Sequence, residues 1–216
     1  MQYIKDLQEG VTVALEEICA ERVEKYRKML LPNEIADIDA AGSIKRREEM
    51  TVTRGMIKEI FGEHAMIRHN PDGSPYIADY KGYISISHTK GFACVAYSDS
   101  PVGVDAQQWS NALISIKEKY LNEAEIEAFG ENKLQLLRAW CAKEATYKIL
   151  RIKNLSLKAI DTTHFPEIVV TQTTDTLEPL YDTPIKIDCA VVSDRIRLKG
   201  ADIFVKPELC MVLIVK

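Results

Sequence analysis

The sequence predicts an α+β protein made of two halves that meet near residues 99 to 110. Three observations predict it. Helical periodicity dominates the chain as far as Ile60. Turn chemistry at Pro71-Asp72-Gly73-Ser74-Pro75 then introduces a series of short apolar strands. Helices return from about Ile114, and the tail supplies strands again. Helices, strands, helices, strands is the pattern of segregated layers repeated once, and 216 residues suffice for two small domains.

Each element has its own signal. Leu15, Ile18, Cys19, Arg22, Tyr26, Met29 and Leu30 recur at helical spacing, and Pro32-Asn33 is expected to stop that run. The preceding Val11-Thr12-Val13-Ala14-Leu15 fits a strand equally well, and periodicity alone does not choose. A second helix is expected from Ser43 to Ile60, with Ser43 as N-cap and Gly62 at its C-terminal end. Strands are expected at Tyr83 to Ser87, Phe92 to Ser98 and Val102 to Asp105. Asn122 with Glu125 has the form of a capping box, and a long helix runs from Lys133 to Leu150. Ile168 to Gln172, Ile185 to Val192 and Leu209 to Val215 are the strand candidates of the tail.

Composition narrows the function classes. Apolar residues make up 46% and charged residues 28%, so a packed core is available. The net charge of −4 excludes a general affinity for nucleic acid or anionic membranes, so an anionic ligand needs a local basic cluster. No stretch has the roughly 20 apolar residues of a membrane span. The start, Met1-Gln2-Tyr3-Ile4-Lys5-Asp6, lacks the pattern of a signal peptide, and a cytoplasmic protein is expected. Five scattered cysteines without CxxC or Cys/His spacing argue against disulfides and structural zinc.

Four groups of residues carry potential chemistry. In the long helix, Leu137, Trp140, Cys141, Glu144 and Lys148 share one side, so an apolar stripe runs into a carboxylate and an ammonium. The same Glu144–Lys148 spacing is also that of an ordinary surface pair contributing about 0.3–0.5 kcal/mol. Val102-Gly103-Val104-Asp105-Ala106-Gln107 places a glycine inside an apolar strand, the mark of close approach by another backbone or a ligand, and an aspartate at its end. Asp105 and Glu144 could meet as hard oxygen ligands of the kind Mg²⁺ takes, or Asp105 simply ends the strand. Ser85, Ser87, His88, Thr89 and Lys90 offer donors to phosphate. Lys45-Arg46-Arg47 with Arg54 is a basic helical segment, although the adjacent Glu48 and Glu49 suggest an exposed, solvated face.

Ile-Ser-His at 86–88, Gly-Val-Asp at 103–105 and Trp140-x-x-Lys143-Glu144-Ala145-x-x-Lys148 together resemble the 4′-phosphopantetheinyl transferase superfamily. Length and spacing are similar to its surfactin-synthetase-activating type, and the strong resemblance covers about residues 43 to 158. It implies a monomeric pseudo-dimer of two similar α/β halves, 1–104 and 105–216, with the active site in a cleft between them. The implied reaction moves the 4′-phosphopantetheine group of coenzyme A to a serine of an apo acyl or peptidyl carrier protein with Mg²⁺, releasing 3′,5′-ADP. No nucleic acid or membrane partner is expected.

The resemblance also implies roles. Asp105 and Glu144 are the acidic metal ligands, and Gln107 stands where many relatives carry a third acid, Glu. Lys148 contacts the phosphates of the coenzyme, and Asp105, Glu144 and Lys148 form the catalytic set. Ser87 and His88 grip phosphate, His88 taking the ribose 3′-phosphate together with the basic segment Lys45, Arg46 and Arg47. Gly73, Ser74 and Pro75 form the loop beside the adenine, with Ser74 in place of a lysine common among relatives. Where relatives commonly carry a glycine-rich segment this chain has Arg151-Ile152-Lys153, and Arg151 and Lys153 are expected to help dock an acidic carrier. The departures at Gln107 and Ser74 leave a second expectation, a non-catalytic protein that binds coenzyme A or a carrier.

Overall fold

A computed structural model describes residues 1–5, 10–170, 196–206 and 209–215. It is a mixed α/β structure that divides into Met1–Asp99 and Ser100–Lys216.

The first unit opens with β1 (Gln2–Lys5) and β2 (Val11–Glu17), so the ambiguous Val11–Leu15 run is a strand. Helix α1 (Ala20–Arg27) is therefore shorter than the periodicity suggested. Pro32 is not what stops it, since α1 already ends at Arg27; Pro32 instead opens a further helix, α2 (Pro32–Asp39), in whose first turn a missing N–H is harmless. Helix α3 (Ile44–Phe61) starts where expected: the Ser43 side chain accepts from the Arg46 N–H at 3.2 Å. Gly62 closes it at φ 104°, a conformation that a side chain would oppose. The hairpin β3 (Ile67–His69) and β4 (Pro75–Ile77) follows, then β5 (Tyr83–Thr89) and β6 (Phe92–Ser98). The main sheet is antiparallel in the order β1-β2-β6-β5. Val52, Met56 and Ile57 of α3 pack on Ala14, Ile84, Ala93 and Val95 of this sheet.

The second unit opens with β7 (Val102–Gln108) and continues through α4 (Ala112–Ser115), α5 (Lys117–Tyr120), α6 (Glu123–Phe129) and α7 (Lys133–Leu150). The capping box is present: the Asn122 side chain accepts from the Glu125 N–H, and Glu125 accepts from the Asn122 N–H, both at 2.9 Å. Strands β8 (Ile160–Asp161), β9 (Glu167–Val170), β10 (Ile196–Lys206) and β11 (Leu209–Val215) complete an antiparallel sheet in the order β7-β11-β10-β9-β8. The expected strand at Ile185 to Val192 lies outside the described residues. Among the described residues no helix is long and apolar enough to cross a membrane.

Helix α7 lies on β7 and β11 with very little room. A Cβ built on Gly103 would collide with the Ala145 carbonyl of the helix and lie 3.3 Å from the Ile149 Cβ. Backbone cannot yield as a side-chain tip can, so Gly103→Ala is expected to cost stability at the upper end of the ~1–3 kcal/mol typical of overpacking. Urea denaturation of the variant measures this.

A buried ion pair recurs in each unit. In the first, Lys58 of α3 meets Glu34 of α2 at 2.9 Å and donates to the carbonyls of Glu63 at 2.9 Å and Ala65 at 3.2 Å. In the second, Lys143 of α7 meets Glu125 of α6 at 2.8 Å and donates to the carbonyls of Leu157 and Ile160. Both glutamates are also the third residue of a capped helix, holding the N–H of the N-cap. The strand order recurs as well: β2 lies beside β6, which pairs with β5, as β7 lies beside β11, which pairs with β10.

Candidate active site

Close packing of α7 on β7 brings the strand's alternating side chains up to the helix. Period-two alternation puts Gly103, Asp105 and Gln107 on one face of β7, and Gly103 lies directly against the backbone of α7. Asp105 and the helix's Lys148 then meet, Nζ to Oδ1 at 2.8 Å, and the same ammonium donates to the Val104 carbonyl at 2.9 Å. An ammonium has three donors. The third has no acceptor among the described residues.

Glu144 lies one turn before Lys148 on α7, half-buried, and makes no hydrogen bond among the described residues. Burial pushes its carboxyl above the usual range, the nearby charge of Asp105 pushes it further, and Lys148 opposes both. Two carboxylates are thus close enough to repel, with one ammonium between them in charge but not in number. Gln107 sits beyond Asp105 on the same face, and its Nε2 donates to the Gln108 carbonyl at 3.0 Å, which turns Oε1 away from that bond. Among the described residues no group of three or more His, Cys, Asp or Glu side chains is arranged to hold a metal. Two carboxylates and an amide oxygen do suit Mg²⁺, which takes one or two carboxylates and fills its octahedron with water and phosphate oxygens.

Lys143 belongs to the same motif but has the opposite role. Its side chain is fully buried, and burial pulls its ammonium down while Glu125 holds it up. Glu125 in turn accepts from the Thr162 N–H at 2.8 Å and the Thr162 hydroxyl at 2.6 Å. This network ties α6, α7 and β8 together. The sequence contains one signal for it: Glu125 is already placed as the capping-box acid, and the helix face holding Lys143 is otherwise Leu136, Ala139, Thr146 and Leu150.

The first unit carries its own cluster. The Arg46 guanidinium lies 2.8 Å from His88 Nε2. Because a guanidinium only donates, Nε2 accepts and the ring proton resides on Nδ1, 3.6 Å from Glu49 Oε2. Glu49 also pairs with Arg46 at 3.5 Å and Lys45 at 3.6 Å. Lys45, Arg46 and Arg47 lie on the exposed face expected of this segment, but Glu48 is only half-exposed and Glu49 is buried at 6% exposure. Arg47 does not join this group: its Nε donates to the Ala41 carbonyl at 2.9 Å, while Arg54 donates to the Glu34 carbonyl at 2.7 Å and pairs with Asp37. Both arginines tie α3 to the region of α2. Ser87 and His88 are neighbours on β5 and therefore face opposite sides of the sheet, Ser87 being buried. Ser74 is held in its turn, its hydroxyl donating to Asp72 at 2.6 Å and its N–H at 2.9 Å, while Pro75 lines a cavity with Arg46 and His88. Arg151 caps α7 in the left-handed region at φ 54°, and its Nε reaches the Lys148 carbonyl at 3.4 Å.

Residues 101–194 match the model of the 4′-phosphopantetheinyl transferase superfamily. The resemblance to this superfamily stands. The matched segment includes Asp105, Gln107, Glu144 and Lys148, so it spans all of the site residues of the second unit. A curated relative, 4′-phosphopantetheinyl transferase gsp of Aneurinibacillus migulanus, is 27% identical over 109 residues. That alignment covers 47% of this chain and 46% of the relative, so the similarity extends over less than half of each.

Proposed function

We propose that the protein transfers the 4′-phosphopantetheine group of coenzyme A to a serine of an apo acyl or peptidyl carrier protein, releasing 3′,5′-ADP. The observation that carries this reading is the approach of Asp105, Glu144 and Lys148 from a strand and a helix, inside the segment similar to the superfamily. Phosphoryl transfer needs in-line positioning and neutralised charge more than covalent help from the protein. Lys148, already anchored through two of its donors, would give the third to a diphosphate oxygen and stabilise the departing nucleotide. Asp105, Glu144 and Gln107 would hold Mg²⁺, which when bound supplies charge neutralisation to the diphosphate. Glu144, with its carboxyl pushed upward and no hydrogen bond to give up, is suited to accept the proton of the attacking serine. Arg46, His88 and Lys45 would take the 3′-phosphate of the coenzyme.

The repeated strand order and the repeated buried lysine–glutamate pair support a further part of the reading: the two units are versions of one α/β half, joined in a single monomeric chain. Cys19, Cys94 and Cys141 are in no disulfide, which fits a reducing compartment such as the cytoplasm.

Incubation with an apo carrier protein, coenzyme A and Mg²⁺, followed by mass spectrometry, tests the activity. A gain of one phosphopantetheine on the carrier is expected, and a protein that binds coenzyme A without modifying any carrier in a broad panel would be the non-catalytic binder that Gln107 favours. Restoring the acid at that position gives a finer check. Gln107→Glu is expected to lower the Mg²⁺ concentration for half-maximal rate, and an unchanged Mg²⁺ dependence would remove Gln107 from the site. Charge reversal at Arg151 and Lys153 is expected to raise KM for the carrier with little change in kcat.

A further inference from the structure

We propose that Thr53 is a specificity residue for the nucleobase of the coenzyme, an inference that rests on the function proposed above. Thr53 lies on α3, is 5% exposed, and its hydroxyl has no hydrogen-bond partner among the described residues. Two residues earlier on the same helix Thr51 donates to the Arg47 carbonyl at 2.8 Å, the usual way a helical threonine satisfies itself. Thr53 leaves that option unused. A buried hydroxyl without a partner costs free energy, and such a group points to something missing from its surroundings.

What is missing is indicated by the cavity that Thr53 lines. It encloses about 220 Å³, with apolar walls from Met50, Ile67, Pro75 and Ile86, basic groups from Arg46 and His88 toward one end, and Arg54 and His69 also lining it. This is too small for a whole coenzyme, since sites for drug-sized ligands occupy roughly 300–1,000 Å³. It suits a flat apolar group with an anion beside it, as in a phosphorylated nucleoside. The helix separates the two ends. Arg46 precedes Thr53 by seven residues, or about 10 Å along the axis, so a phosphate at Arg46 and His88 leaves a base near Thr53. Threonine divides between two χ1 rotamers in helices, so its hydroxyl can turn toward the cavity at little cost.

The test compares Thr53→Val and Thr53→Ser by calorimetric titration with coenzyme A and with 4′-phosphopantetheine, which lacks the nucleotide. Val keeps the shape and removes the hydroxyl, so the Kd for coenzyme A is expected to rise about five- to tenfold, with the Kd for 4′-phosphopantetheine unchanged. Ser keeps the hydroxyl and is expected to bind coenzyme A as the wild type does. The Val variant's Tm without ligand is expected to be equal or higher, because an unpaired polar group has been removed, which separates lost recognition from lost folding. Wild-type affinity for coenzyme A in the Val variant would overturn the assignment while leaving the proposed function intact. An equal loss with 4′-phosphopantetheine, or in the Ser variant, would also overturn it. A wild-type protein that binds no coenzyme A would instead remove the underlying function.

Discussion

Glu144→Gln is expected to reduce phosphopantetheinyl transfer by about 10²–10³-fold while making the protein more resistant to heat at pH 7. The two effects share a cause. Burial and the charge of Asp105 raise the Glu144 carboxyl above the range it has in the unfolded chain. A carboxyl raised on folding contributes stability that is fully present below its unfolded pKa and is lost as pH rises through its folded one. At pH 7, above the unfolded-chain range, the raised Glu144 carboxyl therefore costs stability, and an uncharged isostere removes the cost. The gain in Tm should vanish in acid, where Glu144 is already protonated. Active sites commonly hold such destabilising charge for the sake of function. A Gln variant with normal transfer rates would show that Glu144 is an ordinary helix-surface acid. So would one with unchanged Tm at both pH values.

Lys143→Met is expected to produce the largest loss of stability of any single change in the second unit. The ammonium is fully buried and bonds Glu125 and two carbonyls. Removing one partner leaves a buried carboxylate uncompensated, which costs about 3–5 kcal/mol. Glu125→Gln and the double variant separate the pair from its surroundings. The double variant should recover much of the loss, because no unpaired charge remains. Equilibrium unfolding in urea gives the three values. If Lys143→Met changes stability by less than 1 kcal/mol, the network is not what holds α7 on its sheet. Transfer should fall in the Met variant as well, since Glu144 and Lys148 ride on the same helix.

Much of this was legible in the sequence because local chemistry and final structure agree. Helix α7 occupies the expected Lys133–Leu150, and β6 and β11 the expected Phe92–Ser98 and Leu209–Val215. Ser43, Gly62 and the Asn122–Glu125 box do what capping residues do everywhere. Gly103 was readable as a point of close approach, and the Ala145 carbonyl is what approaches. What stayed hidden depends on distant partners. Val11–Glu17 carries no pattern that separates strand from helix, and its pairing with β6, more than 70 residues on, decides the matter. Helix α2 was hidden because Pro32 reads as a stop when it is a start. Arg46 and Arg47 are adjacent cations in sequence, yet one meets His88 and the other an Ala41 carbonyl, a difference of helical rotation that charge counting does not register. Glu49 looks like a solvated charge until the residues around it are known.

The most direct test of the proposed site is a titration of the protein–coenzyme A complex with Mn²⁺, followed by electron paramagnetic resonance. One ion per chain should be immobilised in the wild type, and Asp105→Asn and Glu144→Gln should each weaken that binding by an order of magnitude or more. Mn²⁺ held equally well by the doubly substituted protein would mean that these two carboxylates do not form the metal site.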